Sequence, residues 1–129
     1  MPAHPVFEYA IIRVVPKVER EEFLNVGIIL FCKELKFLDM KFELDQSRLQ
    51  AISPGAEFEE IMNNLTSYEK IAKGNLNAGT IAQLDPALRF RWLTATRSTQ
   101  IQSSKVHPGL CSGNPTETLK RLLEQMVRV

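Results

Sequence analysis

The chain is poor in cysteine. Cys32 and Cys111 are its only two in 129 residues, too few for a disulfide framework, so a reduced, cytoplasmic setting is expected. Long hydrophobic runs are missing too. The longest apolar stretch unbroken by glycine, Ile28 to Cys32, falls far short of the roughly 20 residues a membrane helix needs. The opening Met1-Pro2-Ala3-His4-Pro5 lacks the basic stretch and apolar core of a signal peptide, and no membrane partner is expected. There is no excess of one charge. Sixteen Lys and Arg face fifteen Asp and Glu, a net +1, so no global field steers the chain toward nucleic acid or an anionic surface. Only a local basic patch stays open. The six glycines are scattered singly, and neither GxGxxG nor the GxxxxGK phosphate loop occurs. HExxH, GxSxG and a paired CxxC are absent as well. No strong catalytic motif is left, and no cofactor or metal is expected.

Hydrophobic residues make up 44% and charged residues 24%, near the globular average. That suffices for one core but not two, so one domain over residues 1–129 is expected. Phe7 to Val15, rich in β-branched and aromatic residues, reads as a strand stopped by Pro16. Ala10, Ile12 and Val14 share one face. Tyr9, Ile11, Arg13 and Val15 share the other. The charged stretch from Pro16 to Asn25 has room for a helical turn. Val26 to Cys32 is apolar on both faces, as in a strand covered on both sides. Lys33 to Lys36 suits a hairpin loop. Leu38, Met40, Phe42 and Leu44 then alternate with Asp39, Lys41 and Glu43, as in a strand with one wet face.

Helical signals follow. Asp45 caps a short helix through Ile52. Ser53-Pro54 is read as the start of a longer one, with Phe58, Ile61, Met62, Leu65 and Tyr68 at helical spacing and Gly74 as its stop. Asn75 to Thr80 reads as a loop. Asp85-Pro86 starts a helix to about Leu93. Arg97 to Gln102 is a weak fourth strand, and His107 to Gly113 is rich in turn residues. Asn114-Pro115-Thr116-Glu117 resembles a capping box before the stripe Leu119, Leu122, Leu123 and Met126. The fold class is α+β: an antiparallel sheet of three to four strands, opened by an N-terminal meander, covered by three to four helices.

Three groups of residues carry chemistry. Arg13 lies on a strand face with Tyr9, Ile11 and Val15, where an unpaired guanidinium is costly. Glu22 or Glu19 supplies a carboxylate, either as an ion pair pinning the loop or as part of an anion site or acid–base pair that includes Arg20. Asn25-Val26-Gly27 suits a bend or bulge, because Asn and Gly tolerate positive φ; Asn25 as a ligand contact is the alternative. The segment Arg89 to Thr99 gathers Arg91, Arg97, Phe90, Trp92 and hydroxyls such as Ser98, groups able to stack bases and grip phosphate. A core-anchored helix with solvated arginines is the plainer reading. In His107-Pro108-Gly109-Leu110-Cys111, a thiol nucleophile with an imidazole base, or a zinc set with Cys32 and His4, competes with a turn holding a buried cysteine.

Three stretches resemble, in order and spacing, a family of uncharacterised bacterial proteins, domain-of-unknown-function family 3037. They are YAIIRVVPKVEREEFLNVGIILF (Tyr9 to Phe31), FRWLTATRSTQIQSSKVHPGLC (Phe90 to Cys111) and TLKRLLEQMV (Thr118 to Val127). The family pattern has Gly or another small residue before the Glu-Phe of the first loop, where this chain has Glu21. The resemblance implies a small bacterial cytosolic protein and brings no activity or catalytic residues with it. It also implies genes beside those of HipA-like kinases, and so a regulatory partnership.

The first functional expectation is therefore a binding or regulatory module acting through a protein partner rather than an enzyme. The second is a phosphate-, nucleotide- or nucleic-acid-handling protein, with Arg13, Arg20, Arg91 and Arg97 converging on phosphate and Glu22 and His107 as acid and base. The third is a homodimer whose sheet or helix face is the interface.

Overall fold

The computed structural model describes residues 5–110 and 113–128. Its hub is strand β1 (Val6–Val14), which pairs antiparallel with β2 (Leu24–Cys32) on one edge. β2 pairs in turn with β3 (Phe37–Phe42). The other edge of β1 is shared by two short antiparallel segments, β4 (Ile101–Ser103) and β5 (His107–Leu110). The result is an open five-stranded antiparallel sheet in the order β3-β2-β1-β4, with β5 continuing the β4 edge.

Short links impose this meander. Lys33 to Lys36 closes the β2–β3 hairpin, the Lys36 N–H donating to the Lys33 carbonyl at 3.2 Å, with Lys36 at φ 53°. Between β1 and β2, a 3-10 turn at Val18–Arg20 ends on Glu21 at φ 56°. That is the left-handed region where a side chain is strained and glycine is not.

Asn25-Val26-Gly27 forms the expected bulge. Ile12 faces Gly27 while Arg13 faces Asn25, so Val26 is the extra residue. The bulge resets the alternation of β2. Leu24, Val26, Ile29 and Phe31 thereby enter one core, and Ile28, Leu30 and Cys32 the other. The reason for glycine is not the one expected. Gly27 is not at positive φ. Instead, a Cβ there would stand 2.8 Å from the Lys41 carbonyl oxygen on β3, so the space belongs to the neighbouring strand.

Among the described residues, four α-helices cover the sheet. Asp45 caps α1 (Gln46–Ile52), accepting from the N–H groups of Ser47 and Arg48 at 2.9 and 3.2 Å. α2 is Phe58–Lys73. α3 (Pro86–Leu93) is capped by Asp85, which accepts from the Leu88 N–H at 3.0 Å. α4 (Pro115–Met126) is capped by Asn114, which accepts from the Thr116 N–H at 2.8 Å. Leu49, Ile61, Leu65, Phe90 and Leu93 from α1 to α3 pack on Ala10, Ile12, Val14, Ile29 and Met40. On the opposite face, α4 places Leu119, Leu122 and Leu123 on Phe7, Ile28, Leu30 and Cys32. Burying each such side chain stabilises by about 1.5–3 kcal/mol. Both faces of β2 are thus filled within the chain, which removes the sheet-face argument for a homodimer.

Three local expectations are corrected. The long helix begins at Phe58, not at Ser53-Pro54, because Ser53 closes α1: its N–H donates to the Leu49 carbonyl at 2.9 Å and its carbonyl accepts from Ala56 at 3.0 Å. The fourth strand is confined to Ile101–Ser103, since Arg97 folds back onto the end of α3. His107 to Leu110 is a fifth strand rather than a turn. Pro108 is tolerated because β5 is an edge, and Gly109 lies against the buried Phe7 ring, which a Cβ would strike.

Between β4 and β5 the edge slips. From Ile12 to Tyr9, β1 advances three residues while its partner advances from Ser103 to His107. Buried Ser104 fills the gap. Its Oγ accepts from the Ile11 N–H at 2.8 Å, and its N–H donates to the Ile11 carbonyl at 2.8 Å.

Candidate functional site

Three clefts stand out among the described residues, and their charges differ. One of about 430 Å³ lies between the β1–β2 loop and the α1–α2 turn, and carries Lys17, Arg20, Glu22, Glu57 and Glu60. Here Arg20 Nε donates to Glu22 at 2.6 Å, and that hydrogen bond raises the Arg20 pKa above its already high ordinary value. A second, of about 410 Å³, lies between α2, β3 and α4 and mixes Lys41, Glu43, Lys73, Lys120, Glu124 and Arg128. Arg128 Nε donates to both Glu43 oxygens at 3.0 and 3.1 Å. The hydrogen bond from Arg128 holds the Glu43 carboxyl below its ordinary pKa, with desolvation opposing and charge attraction assisting. Both clefts are electrostatically self-matched.

The third cleft is not. A groove of about 670 Å³ runs between α2, α3 and the approach to β4, and of its nine lining residues only Arg97 is charged. Residues 64, 67, 68 and 71 recur at helical spacing, so α2 presents Asn64, Ser67, Tyr68 and Ile71 along one wall. Across from them α3 ends at Trp92-Leu93, where the Thr94 N–H and hydroxyl both donate to the Phe90 carbonyl, at 3.0 and 2.8 Å. The chain then turns back and lays Arg97 over the indole. Its guanidinium carbon lies 4.5 Å from the Trp92 ring centroid and 5.8 Å from that of Tyr68. Nη1 donates to the Tyr68 hydroxyl at 2.5 Å, and Nη2 donates to the Trp92 carbonyl. Cation–π contact and two hydrogen bonds fix the cation, yet no carboxylate pairs with it among the described residues.

The structure disperses the other sequence candidates. Arg13 stacks on Phe23 at 4.2 Å, and no carboxylate among the described residues binds it: Glu22 is taken by Arg20. The loop is thus pinned by an aromatic ring rather than by the expected ion pair. Among the described residues Arg13 Nε is buried without a hydrogen-bond partner, as is Asn25 Oδ1 on the facing strand, while Asn25 Nδ2 donates to the Met126 carbonyl at 3.3 Å. Arg91 and Ser98 are exposed. His107 is exposed on β5, its ring 5.4 Å from that of Tyr9. Cys32 is buried in the α4-side core, its Sγ 3.5 Å from the Val6 carbonyl. Cys111 and His4 lie outside the described residues. Among those described, no group of three or more His, Cys, Asp or Glu could hold a metal.

Arg13 and His107 therefore lie on the α4 side of the sheet, Arg97 on the α2–α3 side and Glu22 in the cleft beside the β1–β2 loop; no common pocket unites them among the described residues. Tyr68 was legible only as part of the apolar stripe of α2. Nothing in its spacing distinguished a hydroxyl that binds Arg97 from one that lies in solvent.

A family model described as a protein of unknown function (DUF3037) matches residues 9–127. The chain belongs to that family. The match spans all five strands but for the first residues of β1, and all four helices, so the DUF3037 unit is the α+β fold described above. No curated protein and no solved structure matches the chain. No helix among the described residues is long and apolar enough to cross a membrane.

Proposed function

We propose that the protein is a binding module that acts through a protein partner, with the outer face of α3 as its contact surface. The observation that carries this reading is an exposed apolar stripe. Leu88 and Trp92 sit one helical turn apart on α3 with 49% and 37% of their surfaces exposed, and Leu84 just ahead of the helix is 37% exposed. Apolar residues at i and i+4 on a free helix face suit docking against a complementary surface. A tryptophan beside arginines is the composition enriched at binding hot spots. The lack of a catalytic grouping among the candidate residues points the same way. A kinase encoded nearby, which the family resemblance implies, is one partner to try.

The test places a photo-reactive residue at position 88 and, as a control, at the distant exposed position 34. A partner trapped only from position 88 is identified, purified and titrated with the unmodified chain. Saturable binding that Leu88→Asp weakens about tenfold or more, a difference near 1.4 kcal/mol, is the expected result. If position 88 traps nothing that rebinds in purified form, the proposal is wrong.

A further inference from the structure

We infer that the groove between α2 and α3 is a carboxylate-recognition site, and that its occupant is a helical segment of the partner carrying Asp or Glu next to apolar residues. This inference rests on the partner-binding reading and specifies the partner's chemistry.

Charge supplies the first argument. In the other two clefts acids line the wall beside the cations, and Arg20 and Arg128 are each paired with a carboxylate. Here the lining holds one cation and no acid. A half-buried guanidinium is stabilised by an anion, and its planar fork matches a carboxylate in particular. Arg97 is already oriented for that task. The Trp92 ring lies beneath it, and the Tyr68 hydroxyl and Trp92 carbonyl each take one bond. A guanidinium has more N–H donors than those two bonds use, so a ligand can bind without dismantling the support.

Shape and polarity supply the second. Ile71 and Ile101 give the groove an apolar floor, and Ser67 and Thr99 a hydroxyl rim. Trp92 belongs both to the groove and to the exposed stripe through Leu88. An occupant that places an anion on Arg97 therefore has apolar contacts waiting one helical turn away. An amphipathic acidic helix offers both at i and i+4 spacing. A nucleic acid strand fits less well, because its repeated phosphates call for a row of cations, whereas one lines this groove and a leucine follows.

The protein carries a single tryptophan, Trp92, so its emission reports directly on the site. The probe is a synthetic helix-forming peptide of about 15 residues, a length at which an isolated helix is marginal, with Leu and Glu on one face. Added to the full chain, it is expected to shift Trp92 emission saturably, and to bind more weakly as salt rises. Replacing its Glu by Gln, or Ser67→Asp in the protein, should each weaken binding about tenfold. Arg97→Ala should weaken it at least as much. If that variant fails to fold, the Gln peptide and Ser67→Asp, an exposed helix position, still decide. Three outcomes overturn the inference: unchanged Trp92 emission, equal binding of a peptide with Lys in place of Glu, or tighter binding of a single-stranded oligonucleotide. A purified partner that crosslinks at position 88 but ignores Arg97→Ala and Ser67→Asp leaves the binding-module reading standing and removes the groove from it.

Discussion

The two faces of the sheet are covered unequally. One lies under three helices and gathers seventeen buried apolar residues; the other lies under α4 alone and gathers eight. On the first, apolar material exceeds what the sheet can take, and the surplus emerges at Leu84, Leu88 and Trp92. On the second, the cover ends early. Arg13 and Asn25 lie at the margin of α4, each with a buried polar atom that has no hydrogen-bond partner among the described residues. The difference teaches that the more heavily covered face is the one whose helices keep apolar side chains on their outer side, while buried polar atoms without partners occur on both faces, Arg89 Nε of α3 being the third.

The largest effects test the inequality directly. Leu65→Ala and Leu119→Ala, both at fully buried positions, should each cost about 2–5 kcal/mol in denaturant unfolding. Hydrogen exchange should tell them apart. Leu119→Ala should let α4 open alone, below the global unfolding free energy, while Leu65→Ala lowers protection throughout. Identical exchange patterns would erase the distinction between the faces.

Glu21 serves both faces alike, because its loop delivers β2 to each. Glu21→Gly should relieve the left-handed strain and stabilise the chain by up to about 1 kcal/mol, after allowance for the greater freedom of glycine when unfolded. A loss of stability would mean the Glu21 side chain makes a contact worth more than the strain.

A smaller effect is expected on the thin face. Arg13→Met keeps most of the stem that packs near Phe23 and removes the unsatisfied Nε, so stability should change by less than about 1 kcal/mol in either direction. A loss above about 2 kcal/mol would show that the guanidinium is well satisfied after all.

The smallest effect is pH-dependent. Arg128 ties the end of α4 to Glu43 beyond β3. Because the Glu43 pKa is lowered in the folded protein from an ordinary value near 4.5, the pair's contribution is present above that value and lost as pH falls through the depressed one. Acid should therefore loosen α4, and salt should blunt the change, since both side chains are about half exposed and salt screens such pairs. Unfolding curves of Glu43→Gln between neutral and acidic pH should lack this component.

Much of the architecture was legible because it depends on local chemistry. Asp45, Asp85 and Asn114 all cap the helices that follow them, as their residue types imply. The unbroken apolar run of β2 announced cover on both faces. What was misread turns on tertiary context. Ser53-Pro54 has the form of a helix start, yet Ser53 was already committed to closing α1. His107-Pro108-Gly109 has the composition of a turn, and only the buried Phe7 ring beside Gly109 explains a strand there. Arg13 called for a partner, but the sequence could not choose between the carboxylate of Glu22 and the ring of the adjacent Phe23. The groove was half visible: Arg97 and Trp92 stood out in one segment, while Tyr68 comes from a helix more than twenty residues earlier in the chain.

The slip at Ser104 and the proline four residues later have a bearing on concentrated solutions. A sheet margin invites another chain to add a strand when it is long, flat and rich in free amide groups. This one is stepped where Ser104 turns its hydroxyl inward, and Pro108 has no amide hydrogen to offer. Edge-to-edge stacking into fibrils is thereby resisted along that margin, although Leu110 and Val106 stand exposed beside it.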